Sequence, residues 1–188
     1  VEEAIVQFGT LDGLVNNAGV HTQSLVEDFP IREWDRIRTI GLDNAFHAIR
    51  AAIPGMKARG WGRIINIASV YGLRGAEMKS GLVAPKPALI GLTRSVALEL
   101  AEHGVTANAV CPGYVWTPLV EKLVLDDMRE SGRDREAVIR DVLLAHQPTK
   151  RFIAAEAIAA LCVYLSGEMA RSITGAVLPV DGGRPAKS

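Results

Sequence analysis

Few residues of this 188-residue sequence are equipped for chemistry, and they fall in short clusters. Ser69 ends an apolar run, Ile64-Ile65-Asn66-Ile67-Ala68-Ser69, and offers a hydroxyl that can orient an oxygen of a bound molecule. Lys86 offers an amine at the end of the string Lys79-Ser80-Gly81-Leu82-Val83-Ala84-Pro85-Lys86. Tyr71 and Tyr114 bring phenols, Lys79 a second ammonium and His21 an imidazole. Hydroxyl, amine and phenol are the parts of general acid–base work on an alcohol or a carbonyl. Taken singly, each has a plainer reading. A serine at a strand end caps a turn, a lysine on a helix is solvated, and a tyrosine belongs to the core or its rim. Cys111 and Cys162 lie among apolar residues and read as buried free thiols of a reducing compartment, and no zinc spacing occurs.

The elements that must position these groups alternate along the chain. Residues 11–16 form a short strand candidate ended by Asn-Ala-Gly. Residues 28–56 carry apolar side chains at helical spacing, with Trp34, Ile37, Ile40, Ala45 and Ile49 on one side. Residues 63–68 and 105–110 read as strands, the second stopped by Pro112-Gly113. Residues 89–100 read as a helix between them. Residues 118–144 are mixed and charged, two helices broken near Ser131-Gly132. A short helix over 156–165 and a last strand over 176–180, closed by Asp181-Gly182-Gly183, complete the order. Such alternation implies right-handed crossovers and a parallel sheet covered on both faces, its strands apolar throughout.

Composition places the chain among ordinary globular proteins, with 48% hydrophobic and 22% charged residues. Twenty-one basic side chains balance twenty-one acidic ones, which argues against nucleic acid or an anionic membrane as partner. The longest apolar stretch, 152–165, contains Glu156 and is too short to span a bilayer. A cytoplasmic protein of one domain, residues 1–188, is the expectation. Residues 1–8 read like the end of a helix already under way, and the first residue is valine, so the domain is expected to be incomplete at its N-terminus.

Four motifs take the reading further. Asn16-Asn17-Ala18-Gly19, the strand ending in Ser69, Cys111-Pro112-Gly113-Tyr114-Val115-Trp116-Thr117-Pro118, and Asp181-Gly182-Gly183 occur in the order and spacing of the short-chain dehydrogenase/reductase family, which the chain resembles over essentially its whole length. Longer blocks at 26–30, 61–69, 112–122, 147–152 and 172–183 resemble the 3-hydroxybutyrate dehydrogenases of that family. The resemblance implies a Rossmann-like, doubly wound α/β fold, of which this is the C-terminal part. It implies NAD as cofactor, held by Asn17, Ala18, Gly19, Lys86, Pro112, Gly113 and Thr117. It implies a 3-hydroxy or 3-oxo acid as substrate, met by His21, Ser69, Tyr71, Lys79 and Tyr114, and a homo-oligomer, usually a tetramer. Ser69 and Lys86 fall at catalytic positions. No metal is implied.

In that family a tyrosine phenolate takes the alcohol proton, its pKa lowered by a lysine four residues on, and an asparagine supports a proton relay. Here the tyrosine position is Leu82 and the asparagine position is Gly41. Leucine has no ionisable proton. Pocket positions differ from the usual residues at His21, Tyr71, Tyr114, Leu123 and Arg184. No Gly-rich phosphate-binding turn precedes Asn16. Weak activity or none is expected. The alternatives are a non-catalytic paralogue and a reductase of another 3-oxo substrate. Pro85 and Pro87 flank Lys86, so either the helix starts later than Ser80 or Lys86 is displaced.

Overall fold

A computed structural model describes residues 1–183, so Arg184 lies outside the described residues. The elements are α1 (Glu2–Phe8), β1 (Gly13–Asn16), α2 (Ile31–Arg38), α3 (Asn44–Arg59), β2 (Gly62–Ile67), α4 (Ser80–Val83), α5 (Pro85–Leu100), β3 (Val105–Pro112), α6 (Pro118–Ser131), α7 (Arg135–Ala137), α8 (Ala155–Ser166) and β4 (Val177–Val180). A π-helical turn, Thr39–Asp43, carries α2 into α3, and another, Val138–Leu143, follows α7. Gly132 ends α6 in the left-handed region at φ 70°, as the Ser131-Gly132 break suggested.

The sheet has four strands in the order β1-β2-β3-β4, all parallel. Alternation along the strands divides the core into two layers. On one face Ile64, Val105 and Ala107 pack against Ile49, Ala52 and Met56 of α3 and Val96, Ala97 and Leu100 of α5. On the other, Ile65, Ile67, Val110, Leu178 and Val180 pack against Ile158, Leu161, Cys162 and Leu165 of α8. The architecture is a Rossmann-like parallel sheet with helices on both sides. Cover is incomplete at β1, where Val15 points to the α8 face and is 49% exposed. Cys162, expected to be buried, is only partly so.

Two expectations need correction. The sheet steps in one direction three times, yet α3 and α5 lie on one face and α8 on the other. The third crossover therefore has the opposite hand to the first two, against the rule for such connections. Its length explains this, because α6, α7 and the turn after them intervene before α8 and relieve the constraint on a short crossover. Nor are the strands apolar throughout, since Arg63, Asn66, Thr106 and Asn108 are buried within them. Arg63 donates from Nη1 to the carbonyls of Gly62 (2.9 Å) and Gly104 (3.2 Å), pairs with Glu168 at 3.5 Å and stacks 4.6 Å over Trp61, while its Nε has no partner among the described residues. Gly104 can be nothing else: at φ 67°, a Cβ there would lie 2.1 Å from the Gly60 carbonyl oxygen.

Asn66 is the hub between layers. Its Oδ1 accepts from Asn16 Nδ2 at 2.8 Å, and its Nδ2 donates to Thr93 Oγ1 at 2.8 Å. Thr93 in turn donates to the Leu89 carbonyl at 2.7 Å. One chain of bonds thus joins β1, β2 and α5. Replacing Asn66 by the similarly shaped Leu leaves the Asn16 amide without its acceptor. We expect a loss of about 1–3 kcal/mol, measured as a lower urea midpoint with an unchanged slope.

Candidate active site

The site forms where β2 and β3 end and α5 begins. Backbone bonding continues past β2 to Ala68, which donates to the Val110 carbonyl at 2.7 Å. Ser69 follows in extended conformation and caps a single 3-10 turn, Val70–Gly72, its Oγ accepting from the Tyr71 amide at 3.1 Å. That turn presses onto α5: a Cβ on Gly72 would lie 2.7 Å from Ile90 Cδ1 and 3.3 Å from the Lys86 carbonyl oxygen.

The proline question resolves in favour of a later helix start. Pro85 cannot donate to the Gly81 carbonyl, nor Pro87 to Val83, so α4 ends at Val83. A new helix, α5, opens with Pro85 at its first position, where missing donors cost nothing. Lys86 lies in that first turn and is not displaced. It is 7% exposed, and its Nζ donates to the Ile67 carbonyl at 2.7 Å. Burial lowers its pKa from 10.5 to about 8, opposed by Cys111. Burial also pushes the Cys111 thiol up, against weaker lowering by the Ser69 backbone and Lys86. The thiol is therefore neutral near pH 7 and is no counter-charge for the amine.

A cavity of about 460 Å³ opens beside Ser69 and Lys86. It gathers Asn17, Gly19, Pro112, Gly113 and Thr117 on the expected cofactor side, and His21, Tyr71, Lys79 and Tyr114 on the expected substrate side. Leu82 and Leu123 face it as well, whereas Ala18 and Gly41 do not line it. Thr117 caps α6, accepting from the Val120 amide at 3.3 Å. Gly41 sits on the π-helical turn, buried, with nothing within 4 Å of where a Cβ would stand. An adjoining cleft of about 930 Å³ shares His21, Tyr71, Lys79, Tyr114 and Leu123 and runs out along α6.

Two features escaped the sequence reading. Tyr71 and Tyr114 touch hydroxyl to hydroxyl at 3.1 Å, with the Lys79 ammonium 5.4 Å above the Tyr71 ring. Gln147, 0% exposed, accepts from the Tyr114 amide at 3.1 Å through Oε1 and donates from Nε2 to the Arg151 carbonyl. It holds the strand exit that carries Tyr114. Only its place in the block 147–152 marked it beforehand. Among the described residues no group of His, Cys, Asp and Glu is placed to hold a metal, and no helix is long and apolar enough to cross a membrane.

Comparison with known proteins agrees with this fold. A family description for enoyl-(acyl carrier protein) reductase matches residues 1–184. D-beta-hydroxybutyrate dehydrogenase of Rhizobium meliloti (strain 1021) is 54% identical over 177 residues, which is 94% of this chain and 69% of that protein. The chain belongs to the short-chain dehydrogenase/reductase family. D-beta-hydroxybutyrate dehydrogenase of Cupriavidus necator (strain ATCC 17699) is 48% identical over 94% of this chain and 68% of its own length. The crystal structure of levodione reductase superposes with a TM-score of 0.90 at 34% identity, covering 100% of this chain and 71% of that one. This short-chain dehydrogenase/reductase is thus an oxidoreductase by family, of a kind that uses NAD(P) and acts on small molecules.

His21 gives the site an acid sensitivity. Neither ring nitrogen has a hydrogen-bond partner among the described residues, and burial, then the Lys79 charge, lowers its pKa from 6.5 to about 4. The unfolded chain therefore takes up the proton first as pH falls, and stability is lost between pH 6.5 and 4. With His21→Gln this loss should shrink, read as a flatter Tm against pH over that window. An unchanged profile would show that other groups govern acid stability.

Proposed function

We propose that the chain descends from NAD-dependent dehydrogenases interconverting 3-hydroxybutyrate and acetoacetate, and that as it stands it turns over slowly or not at all. The observation that carries this is Leu82. It faces the cavity one helical turn before Lys86, where the family's chemistry needs an ionisable oxygen. Tyr71 is no substitute in this arrangement, because its hydroxyl is engaged with Tyr114 while the Lys86 amine bonds to Ile67.

The residues fit one end of NAD. Asn17, Gly113, Thr117 and Lys86 line the cavity, and a Cβ on Gly19 would meet only the Asn17 carbonyl at 4.0 Å, leaving room for close approach. Its pyrophosphate would be held by a Gly-rich turn at a helix N-terminus. When bound, NAD supplies the hydride acceptor. The chain's own residues bind and orient. Ser69 Oγ already accepts from the Tyr71 amide, so its proton is left to donate to a ligand oxygen. Lys79 presents a cation to a carboxylate at the far end, beside the phenols and His21. Lys86 suits a ribose hydroxyl. The phenol that takes the alcohol proton in the family has no counterpart at Leu82.

A second reading, a non-catalytic paralogue that keeps its scaffold and oligomer faces, is favoured by Gly41 and Leu123 as further departures. Leu98 on α5, 80% exposed, suits burial against another copy in a homo-oligomer. A reductase of a different 3-oxo acid is favoured by the changed polar set at His21, Tyr71 and Tyr114. The free thiols and balanced charge suit the cytoplasm.

The test is NADH formation from 3-hydroxybutyrate, with the chain fused to the N-terminal portion of the Rhizobium meliloti relative. We expect Leu82→Tyr to raise turnover by about 10²-fold or more, and Gly41→Asn to add to it, since space stands open there. Strong turnover by the unaltered fusion would remove the claim of inactivity.

A further inference from the structure

We propose that Lys86 is a nucleophilic amine that captures small carbonyl compounds as imines inside the cavity beside Ser69. This chemistry differs from hydride transfer and needs no cofactor. That a 3-oxo acid is the carbonyl compound rests on the function proposed above.

Four observations lead to it. First, the amine is buried at the wall of a cavity of about 460 Å³, room enough for a small ketone. A desolvated lysine in such a place is the nucleophile type of imine-forming enzymes. Second, no carboxylate lies within ion-pair distance of Lys86 among the described residues, and the titratable group beside it, the Cys111 thiol, is kept neutral by burial. The low pKa of the amine follows from that setting and leaves a working fraction uncharged near neutral pH. Third, among the described residues Lys86 makes one hydrogen bond, as donor to the Ile67 carbonyl. A neutral amine can keep that bond through one hydrogen and still offer its lone pair. Fourth, a phenol at position 82 would share a proton with the amine and hold it as ammonium. Leu82 does neither.

The bonds balance without oxidant or reductant. The Nζ lone pair adds to the carbonyl carbon, and the C=O pair moves to oxygen, which Ser69 is placed to meet as donor. The oxygen then leaves as water with the two protons lost by the amine, and a C=N bond remains on Lys86. Water reverses the step and releases the ketone. Lys79, with His21 at the other end of the same cavity, presents a cation to the carboxylate of a 3-oxo acid.

The experiment is reductive trapping on the 188-residue chain itself. Protein is incubated with acetoacetate and cyanoborohydride, then digested and mapped by mass spectrometry. We expect the reduced adduct at Lys86 at least ten-fold above that at the exposed Lys57 and Lys150. Lys86→Arg, which keeps the charge, should abolish it. Lys86→Met serves in its place if the arginine chain fails a circular dichroism check of folding. Leu82→Tyr should cut trapping several-fold, and unfolding the chain in urea should erase the selectivity. An adduct at Lys86 no greater than at Lys57 in the folded chain overturns the proposal. Butanone, neutral and of similar size, separates the two claims. If it is trapped at Lys86 as well as acetoacetate is, imine capture stands and the 3-oxo acid as ligand falls.

Discussion

The bond chain from Asn16 through Asn66 and Thr93 to the Leu89 carbonyl sets the geometry on which everything else depends. It fixes one face of α5 against the centre of the sheet. Lys86 lies seven residues before Thr93, two helical turns away on the same side. Once Thr93 is locked, Lys86 has to point inward at the strand ends. The Gly72 contact with Ile90 and the Lys86 backbone brings the Ser69 turn onto the same helix start. A polar network inside an otherwise apolar core therefore decides where two reactive groups meet, and its satisfaction is what makes it tolerable.

That placement has a cost. Lowering the Lys86 pKa from 10.5 to about 8 corresponds to about 3 kcal/mol of lost solvation for the charged form. In the family pattern a phenolate partner would offset it. Here Ile67 offers a single carbonyl, and Leu82 adds only apolar surface. The site is thus electrostatically unbalanced in a way that its relatives' chemistry would not leave it.

Much of the fold was legible because periodicity and punctuation agree. The runs at 63–68 and 105–110 became β2 and β3 within two residues, and Gly132 ended α6 where its freedom is needed. The π-helical turn Thr39–Asp43 left no mark, since its residues carry the same pattern as the helices around it. The hand of the last crossover was invisible for a different reason: it depends on which face of the sheet α8 covers, and apolar residues on a helix do not say which sheet face they will meet. The site divides similarly. Ser69, Lys86 and Leu82 came together as the motifs suggested, and so did His21, Lys79 and Thr117. Ala18 did not. The Tyr71–Tyr114 contact and the role of Gln147 arise where three loops converge, and no local spacing encodes that.

Pro85 and Pro87 have a last consequence for Lys86. The first turn of a helix is ordinarily where a chain opens most easily, and a lysine hidden there would escape to water by unwinding it. Two pyrrolidine rings hold φ on either side of Lys86 and leave little to be gained in backbone freedom by opening. The amine is kept dry by the stiffness of its own neighbours. Its discomfort persists in the resting protein, to be relieved by whatever molecule enters rather than by a fluctuation.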